Sequence, residues 1–218
     1  MGYSGAVKVG GPADVHELTD LMISKVAVGP MNNNAYVLRC RATDEQMLID
    51  AAAEPRTLLA LIGDSGISSV VTTHGHGDHW GALQEVVEAT GARTYAGRYD
   101  AEGIPVPTDV PVEDGDTLTV GRVELTARHL VGHTPGSIAL VYDDPHGAPH
   151  LFTGDCLFPG GVGNTFGNAE NFASLIDDVQ RKLFDRLPDE TWVYPGHGND
   201  TTLGAERPQL AQWRERGW

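Results

Sequence analysis

The sequence predicts a mixed α/β (α+β) fold in which two β-sheets pack together and helices lie outside them. Short apolar runs typical of strands are followed by a helical pattern, and this succession occurs twice along the 218 residues. A chain of this length is long enough to bury a substantial core, so we expect one domain over residues 1–218. Its first 15 residues or so are expected to form a loose arm.

The first half of the chain holds the first succession of strands and helices. The pattern predicts strands at residues 21–28, 35–40, 46–50, 69–73 and 93–96. It predicts helices at residues 55–62, after the third strand, and 80–90, after the fourth. Turn-forming residues 29–34 separate the first two strands. Pro55 lies in the first turn of the first helix, and Gly91 follows the second helix, where each residue type is favoured.

The second half of the chain repeats the succession of strands followed by a helix. Residues 100–116 contain three prolines and two glycines, so we expect an irregular segment there. Gly121 and Arg122 form a hairpin turn between two strands, and apolar residues at helical spacing from Phe172 to Leu183 mark the longest helix. The pattern predicts strands at 117–120, 123–128, 138–142, 150–153 and 191–194, and helices at 171–187 and 205–216.

The composition of the chain argues against some classes of binding partner and indicates a cellular compartment. The chain has 15 basic and 30 acidic residues, for a net charge of −15, which argues against nucleic acid and anionic membranes as partners. Two cysteines, Cys40 and Cys156, make no disulfide framework, as in a reducing compartment. The N-terminus lacks the pattern of a signal peptide, and no apolar stretch is long enough for a membrane helix. We expect a cytoplasmic protein whose partner is a small-molecule substrate, and the oligomeric state stays open.

Four residues of metal-ligand type, His74, His76, Asp78 and His79, lie within six positions between a strand and a helix. In extended backbone His74 and His76 point the same way, because side chains alternate with a period of two. Asp78 and His79 come where the chain turns into the helix, so they face a different point. Imidazole and carboxylate groups bind divalent transition metals, and two pairs aimed at two points indicate two metal ions.

Three more candidate ligands lie beside glycines at strand ends. His133 follows Gly132, Asp155 follows Gly154, and His197 follows Gly196. Taken singly, each is compatible with ordinary turn chemistry. Together with the first cluster they make five histidines and two aspartates on loops, as expected of a site carried by a rigid scaffold.

The succession His-x-His-x-Asp-His, then His, Asp and His on later loops, resembles the metallo-β-lactamase-fold hydrolases over residues 21–200. The resemblance implies an αββα sandwich of two mixed β-sheets and a site for two divalent metal ions, with zinc expected and iron or manganese as the other candidates. It also implies that Asp78 orients the attacking hydroxide, as a catalytic residue. By the same resemblance the first metal is bound by His74, His76 and His133, the second by Asp78, His79 and His197, and both by the bridging carboxylate of Asp155.

Within that family the chain is most similar to glyoxalase II, the hydroxyacylglutathione hydrolase. The likeness is carried by residues 29–36, 132–137, 153–158 and 195–197. It implies cleavage of a hydroxyacyl thioester by a metal-bound hydroxide. A thiol with a pKa of about 8.5 leaves as thiolate without a strong general acid. The chain ends sooner after His197 than glyoxalase II does, and residues 160–165 lack the arginine found there, so the thiol carrier stays open.

Other activities compatible with this fold stay open. A persulfide dioxygenase would bind a single iron through His74, His133 and Asp155. A lactonase or another hydrolase of the same fold is a second alternative, which only a substrate screen would distinguish. A β-lactamase fits less well because Asp155 as a bridging ligand is foreign to those enzymes, and the charge of −15 argues against a nuclease. A non-enzymatic scaffold would have lost ligands, and none of the seven is lost.

Several residues near the motifs are interpreted as structural. Cys156 follows Asp155, and a small buried role is favoured for it because free cysteine often acts as an apolar residue. Asn33, Trp80 and Phe166 are assigned to packing. Residues 100–114 are acidic and irregular, so we expect a solvated loop.

Overall fold

Two large β-sheets lie face to face in the computed structural model of the chain, which describes residues 2–217. Helices cover the outer face of each sheet, so the predicted αββα sandwich is confirmed. Among the described residues, no helix has the length and hydropathy needed to cross a bilayer.

The first sheet has seven strands whose spatial order follows the chain. They are β1 (Asp14–Glu17), β2 (Leu21–Val28), β3 (Asn33–Cys40), β4 (Gln46–Ile49), β5 (Ser69–Thr72), β6 (Arg93–Gly97) and β7 (Val110–Val112). The first four strands are antiparallel, and β4 to β7 are parallel. Parallel neighbours require crossovers, which α1 (Pro55–Ile62) and α2 (Leu83–Thr90) supply after β4 and β5.

The second sheet has six strands in the spatial order β15-β14-β11-β10-β9-β8. They are β8 (Thr117–Val120), β9 (Val123–His129), β10 (Ile138–Tyr142), β11 (His150–Gly154), β14 (Trp192–Pro195) and β15 (Thr201–Thr202). Only β11 and β14 run parallel to each other. A small hairpin of β12 (Leu157–Phe158) and β13 (Gly161–Val162) follows β11.

Three apolar layers fix the arrangement. Residues such as Leu38 and Leu140, both fully buried, meet between the two sheets. Leu58 of α1 packs on the outer face of the first sheet, and Leu175 packs on that of the second. Apolar burial is the main favourable term in folding, so these layers hold the strand ends in fixed relative positions.

Two strands of the first sheet were not predicted from the pattern. β1 is a short edge strand with alternating burial, and β7 lies inside the segment expected to be irregular. Pro111 lies within β7, and a proline is tolerated there because β7 is the edge of its sheet. The expectation for residues 100–116 was therefore wrong at β7.

The last two predicted helices exist but are divided. α3 (Ala169–Val179) begins earlier than predicted, because the side chain of Asn168 caps it by accepting bonds from two backbone N–H groups. It continues as a π-helical turn at Gln180–Phe184. The predicted helix at 205–216 is split into α4 (Leu203–Glu206) and α5 (Leu210–Arg216) by a 3-10 turn containing Pro208, which cannot continue an α-helix bond.

Candidate metal centre

All seven sequence-predicted ligands lie at one end of the sandwich, on loops that leave strand ends. β5 leads into the loop with His74, β9 and β10 flank the loop with His133, β11 ends before Asp155, and β14 ends before His197. The two sheets are joined here, since the N–H of Ile138 donates to the Thr73 carbonyl at 2.9 Å. Loops from both sheets therefore converge on one point.

His74, His76 and His133 form the first group of candidate ligands. Nε2 of His74 lies 3.1 Å from Nδ1 of His76 and 3.3 Å from Nε2 of His133. The three ligand atoms lie within 4.8 Å of one another, close enough to share one metal ion.

Asp78, His79 and His197 form the second group. Nε2 of His79 lies 3.3 Å from Nε2 of His197, which lies 3.4 Å from Oδ2 of Asp78. Asp78 and His79 stand on the 3-10 turn Gly77–His79, so the turn directs them away from His76, as the sequence pattern suggested.

Asp155 lies between the two groups. Its Oδ2 is 3.7 Å from Nε2 of His133 and 3.4 Å from Nε2 of His197, one ligand of each group. Its Oδ1 is buried and has no hydrogen-bond partner among the described residues, although Nε2 of His79 is 3.4 Å away. A buried carboxylate oxygen without a donor is costly, and a bound cation would satisfy it.

The outer nitrogens of four histidines are hydrogen-bonded, and this determines which nitrogen faces inward. Nδ1–H of His79 donates to Oδ2 of Asp50 at 2.8 Å, that of His133 to the Asn164 carbonyl at 2.8 Å, and that of His197 to the Met31 carbonyl at 3.1 Å.

The fourth, His74, donates from Nδ1–H to Oγ1 of Thr73 at 3.1 Å, because the Thr73 hydroxyl proton is already given to Asp50. A neutral imidazole protonated at Nδ1 carries its lone pair on Nε2. In the neutral form that binds a metal, each Nε2 therefore points a lone pair into the centre, which is the arrangement of metal-bound histidine.

The pKa shifts of the histidines differ between the first and the second group of candidate ligands. Burial lowers the pKa of His74 and of His133, so both are neutral near pH 7. Although burial opposes it, Asp50 and Asp155 raise the pKa of His79 to about 10, so at neutral pH its Nε2 carries a proton that a bound metal ion would displace. Burial also raises the pKa of Asp155, but the neighbouring imidazoles of His197 and His79 outweigh it and hold that pKa far below its usual range. Asp155 is thus an anion at neutral pH.

Two residues that sequence reasoning passed over support the second group. Asp50 lies at the end of β4 and binds His79, as described above. Asn33, which the sequence assigned to packing, donates from Nδ2 to Oδ2 of Asp78 at 2.8 Å. The assignment to packing was wrong, because the buried Asn33 side chain hydrogen-bonds a candidate ligand and orients it.

Asp100 supports the first group. Its carboxylate accepts bonds from the N–H of Gly75 at 2.8 Å, the N–H of Gly136 at 2.7 Å and the hydroxyl of Thr134 at 2.5 Å. One side chain thereby ties the loop of His74 and His76 to the loop of His133. The expectation of a solvated loop at 100–114 was wrong for Asp100, which is only 6% exposed.

The structure confirms the structural role expected for Cys156 but not the packing role expected for Phe166. Cys156 is buried in the apolar layer beneath α3, as expected, and burial raises the pKa of its thiol. Phe166 was assigned to packing, but 69% of it is exposed. Its ring lies beside those of His76 and His133, with centroids 5.8 and 6.1 Å away. Its backbone is left-handed, with φ of 55°, which is strained for a bulky residue and commonest at functional sites.

Comparisons with known proteins agree with this geometry. A hydroxyacylglutathione hydrolase of Polaromonas sp. strain JS666 is 36% identical over 180 residues, which cover 81% of this chain and 66% of that relative. The chain thus spans about two thirds of its length. The crystal structure of TTHA1623 in a di-iron-bound form is 35% identical, with a TM-score of 0.70 over 84% of this chain and 96% of that one.

A third similar protein is ETHE1 from Myxococcus xanthus, whose crystal structure is 30% identical, with a TM-score of 0.75 over 87% of this chain and 84% of that one. The sequence profile described as the Metallo-beta-lactamase superfamily matches residues 28–197, a stretch that contains all seven candidate ligands. The chain therefore belongs to the metallo-β-lactamase superfamily.

Proposed function

We propose that this protein is a metal-dependent thioester hydrolase that binds two divalent ions, zinc first among them, through the seven converging residues. The observation that carries the proposal is the convergence of four inward-facing Nε2 atoms on the unsatisfied Oδ1 of Asp155. Nitrogen and carboxylate donors of this kind suit zinc, iron and manganese. The first group would hold one ion, the second group the other, and Asp155 would bridge them.

Two of the relatives support the finer parts of the proposal. The Polaromonas relative is named a hydroxyacylglutathione hydrolase, which supports a thioester as the substrate class. TTHA1623 binds two irons at 35% identity to this chain, which supports a dinuclear centre.

Within the centre the side chains of this chain would position and neutralise charge. Two bound divalent ions would supply a Lewis acid and an activated water. Asp155 places one negative charge between the two groups. The Asn33 bond leaves Asp78 fixed but partly exposed, and although burial opposes it, this bond and His79 keep the pKa of Asp78 below its usual range. Asp78 is therefore an anion that can orient the attacking water.

The geometry is also compatible with the leaving group of a thioester. A thiol has an unperturbed pKa of about 8.5, so it departs as thiolate and needs no proton from the protein. Residues 160–165, beside the centre, carry no charged side chain, and the exposed Phe166 ring offers an apolar surface instead. We therefore propose that the thiol carrier forms no ion pair with residues 160–165 themselves, next to which lies the cation of Arg216, whose Nη2 donates to the Gly160 carbonyl at 3.2 Å.

The experiment is thiol release from a panel of hydroxyacyl thioesters, linked to glutathione and to other thiols, by the metal-replete protein. We expect turnover that is lost on chelation and restored by metal. H76A should lose at least about 100-fold in rate, while H146A, the same change at an exposed histidine paired with Asp20, should keep the wild-type rate.

Oxygen consumption with a persulfide substrate is measured in parallel. Oxygen uptake without thioester turnover, in a protein loaded with one iron, would replace the hydrolase by a persulfide dioxygenase. Opening of a lactone without thioester turnover would point to a lactonase.

A further inference from the structure

A lysine is fully buried next to the loop that carries His197. Lys25 lies on β2, and none of its surface is exposed. Its Nζ donates to the Gly5 carbonyl at 2.7 Å, the Gly198 carbonyl at 2.8 Å and Oδ1 of Asp200 at 2.6 Å. All three protons of the ammonium group are used, so Lys25 has no donor left for a substrate.

Asp200 is buried with it, with 1% of its side chain exposed. Its second oxygen, Oδ2, accepts bonds from the hydroxyl of Tyr3 at 2.6 Å and from Nε1 of Trp192 at 2.9 Å. Burying such a pair is expensive, and an apolar pair of similar volume often stabilises a fold as well or better. A role other than stability is therefore the better explanation of this pair.

The pair acts on the backbone of residues 195–198, which carries His197. The Gly198 carbonyl accepts from Lys25 and from Nδ2 of Asn34 at 2.9 Å. The Pro195 carbonyl accepts from the same Asn34 amide at 2.9 Å and from the Tyr36 hydroxyl at 2.6 Å. His197 is thus held on both sides by polar groups of β2 and β3.

The outer nitrogen of the His197 side chain has a single hydrogen-bond partner among the described residues. The side chain is 23% exposed, and its Nδ1–H donates only to the Met31 carbonyl, at 3.1 Å, in an exposed turn. Its Nε2 lies 3.4 Å from Nδ2 of Asn33 and 3.3 Å from Nε2 of His79, so its position is set both by these neighbours and by the backbone at Gly198, which Lys25 helps to fix.

The N-terminal segment closes over the pair. Ser4 and Gly5 donate from their N–H groups to Oδ2 of Asp14 at 2.9 Å, and the ring of Tyr3 stacks on His16 with centroids 4.4 Å apart. Gly5 has φ of 70°, and a Cβ there would lie 2.4 Å from Oδ2 of Asp200. This close approach requires a glycine and excludes water from the pair.

We propose that Lys25 and Asp200, covered by Tyr3 and Gly5, are positioning residues that hold His197 and so set the metal affinity of the second group. This inference rests on the proposed metal assignment. It implies that Lys25 and Asp200 act mainly on the second group, whereas Asp100 bonds the backbone next to His74 and His76 and the loop of His133, nearest to the first group.

The test is metal affinity by chelator competition in the full-length protein, for the first and second equivalents of zinc. K25M keeps the aliphatic stem and removes the three donors. We expect the second equivalent to bind about 10- to 100-fold more weakly, as for other groups that orient ligands, and the first to be unchanged. The matched variant D100N should show the reverse pattern.

A double-mutant cycle tests whether Lys25 changes the metal affinity by positioning His197. In the H197A background, K25M should leave the affinity of the remaining equivalent within about twofold, because the group it positions is gone. Equal weakening of both equivalents by K25M, or a lowered melting temperature with both affinities intact, would overturn the inference. Y3F removes one bond to Asp200 and should act in the same direction but less, so it serves if K25M does not fold.

The zinc content of the wild-type protein distinguishes failure of the positioning role from failure of the metal centre. Two tightly bound equivalents in the wild type, with K25M unchanged, would overturn the positioning role alone. No zinc bound by the wild type would overturn the proposed metal centre itself.

Discussion

Oδ2 of Asp50 lies 2.8 Å from Nδ1 of His79, 29 residues further along the chain. The same carboxylate accepts bonds from the N–H and the hydroxyl of Thr73, both at 2.8 Å, so it also fixes the residue before His74. Asp50 adopts a left-handed backbone with φ of 58°, a strain that such a set of bonds can hold in place. One side chain thus orients ligands of both groups.

Removal of that carboxylate should weaken metal binding without unfolding the sandwich. We expect D50A to reduce the affinity for the second equivalent of zinc about 10- to 100-fold, because the His79 ring loses the partner that sets its tautomer. Chelator competition measures this, with far-ultraviolet circular dichroism to verify the fold. An unchanged affinity would show that packing alone orients His79.

A methyl group at Gly196 should disturb the centre sterically. A Cβ there would lie 2.2 Å from Oδ1 of Asp155 and 2.8 Å from Cε1 of His79. We expect G196A to lose bound metal and activity, because it pushes two candidate ligands apart. The matched control is G103A, where a Cβ meets no atom within 4 Å. Metal contents that are equal in the two variants would contradict the close packing around Asp155.

Loss of the bridging carboxylate should affect both ions. In D155A the two groups would face each other with one negative charge fewer, so we expect less than one equivalent of zinc to remain and hydrolysis to fall below detection. Elemental analysis of the purified variant measures this, and D64A, at an exposed acid outside the centre, is the control. Two zinc ions per chain in D155A would remove Asp155 from the proposed site.

A histidine far from the centre should make stability depend on pH. Burial, with His16 nearby, lowers the pKa of His150 from 6.5 to about 4. The unfolded chain then binds a proton more readily than the folded one, so the free energy of unfolding falls as the pH drops from about 6.5 to about 4, by about 3 kcal/mol at most.

The check is denaturant unfolding of chelator-treated protein across this pH range, compared with H150N. The asparagine can keep the bond to the Tyr194 hydroxyl that Nδ1 of His150 makes at 2.9 Å, but it does not titrate. We expect a flatter pH profile in the variant. Parallel profiles for the two proteins would show that His150 is not the titrating group.

The sequence was sufficient for the candidate ligands but not for what holds them. The seven residues are recognisable because His and Asp recur beside glycines at strand ends, and strand ends converge in a two-sheet fold. Asp100 lies 25 residues from Gly75 and 36 from Gly136, and nothing local links it to either. It was taken as part of a solvated acidic loop, since burial of a single acid depends on tertiary contacts.

The dependence on tertiary contacts also explains why the sequence did not predict the edge strand β7 or the buried pair of Lys25 and Asp200. β7 is a three-residue edge strand with a proline, and its apolar alternation is too short to detect. Lys25 interrupts an apolar strand, and its partner Asp200 lies 175 residues away. Only the pairing of β2 with β3, and the approach of β3 to the loop after β14, brings them together.

The most direct test of the central claim is a titration of metal-free protein with zinc, with thioester hydrolysis measured after each addition. We predict that activity rises to a plateau at two equivalents per chain, because both groups and the bridging Asp155 must be filled. A plateau at one equivalent, or no hydrolysis at any metal content, would contradict the proposed dinuclear hydrolase.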